Sequence, residues 1–273
     1  MFSYQAALPA RVILMLTNTV ANQSSILHWS REHRVHHLYA DSAADPYDIS
    51  RGFFYAHMGW VFSPRTDAFA AAAKLVDCSD LEADPVVMFQ DRHYGWLSLL
   101  CCFALPALAG AAADGWTGRG LWLGFAALGC LRWVITLHVT WLVNSLAHWH
   151  GYRPYNDKIE ARETGVVSLF SGGEGWHNYH HAHPYDYSAA ETEATDVFWR
   201  WNLAKFWIDL FAAVGWVSGR KVARAPVKRL CPSDRDSGNS RSTGSKSGVA
   251  KKGGVAAAKD EEPSAQMARA SYC

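Results

Sequence analysis

The chain lacks a dominant charge. Its 26 basic and 25 acidic side chains leave a formal balance of +1 over 273 residues. That excludes the broad positive field on which nucleic-acid binding rests, so no nucleic-acid partner is expected. It also lacks paired cysteines. Cys78, Cys101, Cys102, Cys130, Cys231 and Cys273 form no C-x-x-C, and three of them lie in apolar runs. A disulfide framework and a zinc knuckle are thereby excluded, which suits a reducing compartment. No basic stretch, apolar core and small-residue cleavage site follow one another at the N-terminus, so no signal peptide is expected. An H-E-x-x-H motif is missing too. Arg34 follows His33 and Asn178 follows His177, where a zinc protease would carry its general-base glutamate.

Thirteen Trp and thirteen His are what the chain has in excess. Trp favours membrane–water boundaries, and two apolar runs stand where a membrane hairpin would. They cover about residues 96–113 and 121–147, with Arg132 the single charge in the second. Asp114–Gly120 is a turn-rich connector between them. Trp96 and Trp116 bracket the first run, and Trp122 and Trp149 the second. A span needs roughly 20 residues, so the second run suffices and the first is marginal. The alternative is a soluble helical hairpin buried in a core. The connector holds only Arg119, while Arg31, Arg34, Arg51, Arg65, Lys74, Arg92, Arg153, Lys158 and Arg162 lie on the flanks, which places the flanks in the cytosol. Residues 1–31 are mildly apolar, and the run Val12–Leu16, too short to span a bilayer, reads as an amphipathic or core helix leading into His28–His37; residues 67–94 read as a small soluble cap. An amphipathic helix is expected between about Ala189 and Gly219, with Trp199, Leu203, Phe206, Trp207, Leu210, Phe211 and Val214 at helical spacing. Beyond it the Ser/Gly/Lys/Ala-rich tail has no periodicity and is expected to be disordered.

The histidines carry the chemistry. His33, His36 and His37 spell H-x-x-H-H, and His177, His180 and His181 repeat that spacing. On a helix, positions i, i+3 and i+4 share a face, so each trio points one way. His148 ends the second apolar run, and a hairpin returns it to the side that holds both trios. Seven imidazoles exceed the needs of one tetrahedral zinc, so two metals are implied. Imidazole suits Fe, Cu, Zn and Ni, so ligand type alone leaves the metal open. His57, His93, His138, His150 and His183 are read as packing or surface groups, with His138 distinguished by lying inside an apolar run. Asp45, Asp186 and Glu174 are the candidates for orienting the ligand rings.

At these residues a resemblance becomes specific. Trp29–His37 with Asp45-Pro46, Arg51-Gly52-Phe53-Phe54, Asp80–Gln90, Thr140–His148, Gly151–Tyr155, Gly173–His181 and Pro184–Ser188 resemble the acyl-CoA Δ9 (stearoyl-CoA type) desaturases over roughly residues 3–220. The resemblance implies an all-α membrane protein with a transmembrane hairpin and a cytosolic helical cap carrying a histidine-rich di-iron site. It implies multi-pass insertion in the endoplasmic reticulum with the histidine boxes and the C-terminus in the cytosol. It also implies a cis double bond placed in a saturated acyl-CoA using O2 and electrons from cytochrome b5 and its reductase. Carried over by position, the ligands of the two irons are His33, His36, His37, His148, His177, His180 and His181, with Asn144 holding an iron-bound water. Gln23, Trp29, Trp60, Thr140 and Trp141 line the acyl tunnel, and Arg31 and Glu32 face the CoA end. The family has nine histidine ligands. Its first box, H-x-x-x-x-H followed by Ser-Tyr, would precede Met1, so two ligands and the first two transmembrane helices are expected to be absent. His28 and His33 also spell H-x-x-x-x-H, a chance match, since His33 belongs to the second box. Residues 1–220 are then a partial desaturase domain and 221–273 a polar tail without a histidine for a haem, which leaves electron delivery to a separate protein. The competing readings are a short non-catalytic paralogue that binds acyl-CoA or a partner, and a di-iron lipid hydroxylase.

Overall fold

A computed structural model of the chain describes residues 3–191 and 202–223. The expected tail lies outside the described residues from 224 onward, as does Trp199 of the expected amphipathic helix. The architecture is helical. A short antiparallel pair, β1 (Gln5–Ala6) with β2 (Val217–Ser218), ties the two ends of the described chain together.

Helix α1 (Leu8–Ala21) carries Pro9 in its first turn, where a missing N–H costs nothing. Asn22, in left-handed conformation, ends it. Ser25 then caps α2 (Ile26–Tyr39) by accepting the His28 N–H. Three short helices follow: α3 (Phe53–His57), α4 (Asp67–Leu75) and α5 (Ser79–Glu82). The chain then enters two long helices, α6 (Pro85–Ala113) and α7 (Gly118–Trp149). Beyond them α8 (Gly165–Ser171) and α9 (His177–Ala182) complete the cap, and α10 (Leu203–Ala213) packs Ile208 and Phe211 against Ala10 of α1.

The most apolar stretches of α6 and α7 are only 22% and 17% buried within the molecule. A soluble core helix would be mostly covered, so the soluble-hairpin alternative fails and the pair is a membrane hairpin. Both helices are longer than the apolar runs foretold. At 29 and 32 residues they rise about 43 and 48 Å, against a hydrocarbon layer of about 30 Å. Residues 85–94, expected in the cap, are the first turns of α6, and both helices exceed the hydrocarbon layer by roughly 9 to 12 residues. The two backbones touch at glycines. A Cβ on Gly110 would lie 2.5 Å from Gly124 Cα, and one on Gly124 would collide with Pro106 O. Gly120 and Gly124 form a G-x-x-x-G face suited to such contact.

Each long helix widens into π-helical turns, at Leu99–Ala104 in α6 and Gly124–Leu131 in α7. Arg132 answers this widening. It donates to Leu128 O (2.9 Å), to Val20 O at the end of α1 (2.8 Å) and to Cys102 Sγ (3.0 Å). Trp133 Nε1 donates to Asn22 O (3.0 Å), and the Tyr94 hydroxyl donates to Asn22 Oδ1 (2.9 Å). The turn between α1 and α2 is therefore pinned to both long helices. That fixes where α2 presents its histidines relative to the end of α7.

Candidate metal centre

The seven histidines come together at the junction of α2, α7 and α9, in two sets. One holds His36, His148, His177 and His181, the other His33, His37 and His180, and within each set the donor atoms lie within 4.8 Å of one another. The division refines the one-face expectation. On α2 the i, i+4 pair His33/His37 joins one set and His36 the other. On α9 the i, i+4 pair His177/His181 joins the set of His36, and His180 crosses to that of His33 and His37. Each H-x-x-H-H thus gives two ligands to one set and one to the other.

The nitrogens face one another. In the first set, Nε2–Nε2 separations are 3.2 Å for His36–His181, 3.0 Å for His181–His177 and 3.0 Å for His177–His148. In the second they are 3.1 Å for His37–His33 and 2.9 Å for His37–His180. A metal–imidazole bond of about 2.1 Å puts neighbouring donors roughly 3.0 Å apart at right angles and roughly 3.4 Å apart at tetrahedral angles. The observed spacing is short enough for one ion to be shared by neighbouring donors in each set.

On two of the rings the outer nitrogens show that the inner ones are lone pairs. His36 Nδ1 lies 2.9 and 3.0 Å from the two oxygens of buried Asp45. His148 Nδ1 lies 3.0 Å from Asp41 Oδ1. An ionised carboxylate only accepts, so each ring carries its proton on Nδ1 and turns a bare Nε2 inward. Bare lone pairs crowded at 3 Å repel, and a cation resolves that repulsion. Burial holds His33, His37, His177 and His181 well below the ordinary imidazole range, and neighbouring imidazoles push the same way. His180 is lowered to about 4, again chiefly by burial. All five rings are neutral at pH 7, as metal ligands must be.

Of the three carboxylates proposed to orient rings, Asp45 does so. Asp186 instead accepts from the Tyr179 hydroxyl (2.7 Å), Ser188 and the Ala223 N–H. Glu174 is lifted above its ordinary range by burial, and no ring contact is found for it among the described residues. Sequence reasoning missed Asp41, whose position four residues after His37 was the available signal. It adopts φ 60°, a left-handed conformation that Asp tolerates better than most residues. From there it also accepts the Glu160 N–H (3.2 Å), tying the end of α2 to the end of α7 and the following loop. Asn178, where a zinc protease has Glu, is fully buried and turned the other way. It accepts the Tyr155 N–H and donates to the Asn156 and Ala161 carbonyls. Gly175 lets the segment before α9 lie against α8, since a Cβ there would meet Ser168 Oγ at 2.7 Å.

The remaining candidates spread around this centre. Gln23 Nε2 donates to Thr140 Oγ1 at 2.9 Å, joining two residues 117 positions apart. Trp29 stacks on His33, ring centroids 4.6 Å apart. Trp60 packs edge-on against Tyr47 at 4.7 Å, and Tyr47 stands 5.4 Å from the His36 ring. Trp141 lies edge-on to His57 and His138. Asn144 is half-buried one turn before His148. Arg31 borders an open surface depression with Lys74, Asp77 and Glu82, and pairs with Glu82 at 3.3 Å. Glu32 is buried and engaged by Arg65, with the Tyr47 hydroxyl 3.5 Å away. His28 stays outside both histidine sets, 3.4 Å from Glu32.

Comparison with known proteins agrees with this geometry. A family model described as fatty acid desaturase matches residues 5–191. A stearoyl-CoA desaturase of Capra hircus is 46% identical over 219 residues, covering 80% of this chain and 59% of that relative. Acyl-CoA desaturase 3 of Mus musculus is 44% identical and stearoyl-CoA desaturase of Homo sapiens 43%, each over 226 residues, 82% of this chain and 61% of the relative. The chain spans about three-fifths of the length of these curated relatives.

Proposed function

The chain belongs to the fatty acid desaturase family, and from that premise we propose that it is the metal-bearing part of an acyl-CoA desaturase that places a cis double bond at Δ9 of a saturated acyl-CoA. The observation that carries the proposal is the convergence of His33, His36, His37, His148, His177, His180 and His181 as two sets of inward-facing nitrogens. No side-chain base removes hydrogen from an unactivated methylene, so the reaction needs a metal centre. Two iron ions, when bound, supply the oxidising power by drawing on O2 and two external electrons. The electron donor in this reading is cytochrome b5 with its reductase.

The chain's own residues bind and orient. Asp45 and Asp41 fix the tautomers of His36 and His148, so their bare nitrogens need no rearrangement to take up metal. Asn144, on the His148 face of α7, holds a water at the first set. Gln23 and Thr140, with Trp29, Trp60 and Trp141, form the wall against which an apolar acyl chain lies. The Gln23–Thr140 bond sets the distance from that wall to His148, two turns further along α7. Arg31 meets the polar end of the substrate at the surface depression, with Glu32 behind it. The histidine sets and the C-terminus face the cytosol from the endoplasmic reticulum membrane. Residues 1–220 form a partial desaturase domain, without the family's first histidine box.

The test is a pair of expressions in cells lacking their own Δ9 desaturase. The chain is expressed alone and, separately, grafted in place of the matched span of the Capra hircus relative. Fatty-acid methyl esters are then read by gas chromatography. The graft should restore Δ9 monoenes, and His180→Ala within it should abolish them. The chain alone, with seven of nine implied histidines, should not. Hydroxylated products from the graft would move the assignment to a lipid hydroxylase, and a metal-loaded graft without product would overturn it. A glycosylation acceptor placed near Thr117 should be modified, and one near Asn178 should not.

A further inference from the structure

Outside the seven-histidine centre two more imidazoles meet. His57 ends α3 and His138 lies on α7, and His57 Nε2 stands 3.0 Å from His138 Nδ1. The same separation recurs among the nitrogens of the main centre.

The proton on His57 can be placed. Ser145 Oγ is 2.7 Å from Trp141 O, and a carbonyl only accepts, so the serine hydroxyl is committed there. Ser145 Oγ is also 3.0 Å from His57 Nδ1, so it accepts from that nitrogen. Burial lowers the His57 pKa, leaving the ring neutral at pH 7 with one proton to place. That proton sits on Nδ1, and Nε2 aims a lone pair at His138. Ser145 therefore does for His57 what Asp45 does for His36. Phe53 stacks on His57 at 5.6 Å, and Trp141 stands edge-on to His57 at 5.9 Å and to His138 at 5.2 Å. These rings wall the pair on two sides, while His138 is open on another.

Depth matters for water access. Counting about 20 residues of hydrocarbon from the start of α7 at Gly118 ends near His138. The pair thus lies where the bilayer gives way to headgroups and water, on the side of the histidine centre. We propose that His57 Nε2 and His138 Nδ1 form a separate binding site for one divalent transition-metal ion of the zinc, nickel or copper class, with water completing its coordination. Nitrogen donors select this class over calcium and magnesium, which take oxygen. A bound ion clips α3 to α7 beside Trp141. The site stands independently of the desaturase reading.

The test uses the full chain in detergent with its seven-histidine centre already filled. Zinc is titrated calorimetrically, and hydrogen exchange is followed at residues 53–57. One further equivalent in the micromolar range is expected, with slower exchange in α3. His138→Asn, a change at an exposed position, should remove both effects while elemental analysis shows the metal of the main centre unchanged. His57→Gln should do the same. Absence of the extra equivalent in the unsubstituted chain would mean the pair is only an imidazole–imidazole hydrogen bond. An equivalent that survives both substitutions would place the ion elsewhere. Either result overturns the proposal.

Discussion

Asp45→Asn is the sharpest single probe of the metal centre. Asp45 is 4% exposed, and its two oxygens serve three donors. They accept His36 Nδ1–H, the Asp41 N–H at 2.8 Å and the Tyr47 N–H at 2.9 Å. Asparagine keeps one acceptor oxygen. In either orientation its NH2 group faces a backbone N–H it cannot accept, and it also stands beside His36 Nδ1. There it competes with the remaining amide oxygen for the ring nitrogen, so the Nδ1–H tautomer that presents a bare Nε2 to metal is no longer held by a charged acceptor. A buried hydrogen bond to a charged group contributes about 1.5–3 kcal/mol. At about 1.4 kcal/mol per decade, that is roughly a 10- to 100-fold loss of metal affinity, in the usual range for a residue that orients a ligand ring. The assay is chelator competition with elemental analysis on protein purified from membrane. Asp186→Asn is the control, because Asp186 is equally buried (3%) but holds Tyr179 and Ser188 rather than a ligand ring. It should lower stability and leave metal affinity unchanged. Wild-type affinity in Asp45→Asn, or an equal loss in the control, would refute the reasoning.

Three further outcomes follow from the geometry. Stripped of metal, the protein should keep its stability above about pH 6.5 and lose it as the pH falls towards 4. The unfolded chain takes up protons there that buried rings such as His180, held near 4, refuse; a melting temperature independent of pH across that window would contradict the burial. Arg132→Met keeps an unbranched apolar stem but removes the donors to Leu128 O, Val20 O and Cys102 Sγ. It should cost on the order of 3 kcal/mol, read as earlier thermal unfolding in detergent, and an unchanged transition would show that α1 is held by other contacts. Thr140→Val leaves the Gln23 amide without its partner, an unsatisfied group costing about 1–3 kcal/mol. In the grafted enzyme it should lower kcat/KM and broaden the double-bond position, and an unchanged product pattern would remove the pair from the acyl wall.

Much of this protein was legible in its sequence because the signals are local. Two H-x-x-H-H repeats and a seventh histidine at the end of an apolar run announce a histidine cluster able to hold metal, since helical spacing alone aligns each trio. Apolar runs bracketed by Trp announce the hairpin, since the bilayer sets a minimum length for any span. Local spacing does not say which imidazole faces which. The sequence treats His36 and His37 as neighbours, and only the approach of α2 to α9 sends them to different sets. Asp41 became a partner of His148 because a left-handed residue at the end of α2 turned it towards a helix 107 positions away. Asp186 and Glu174, as near in sequence to ligands, were not turned in that way. The same holds for Arg132, a lone charge in an apolar run until α1 delivers Val20 O to it, and for His57 and His138, which read singly as packing or surface groups, His138 set apart only by its apolar run. Periodicity fixes which residues share a face of one helix. Which faces meet is decided by how whole helices pack, and here a glycine contact between α6 and α7 and a pinned turn between α1 and α2 made that decision.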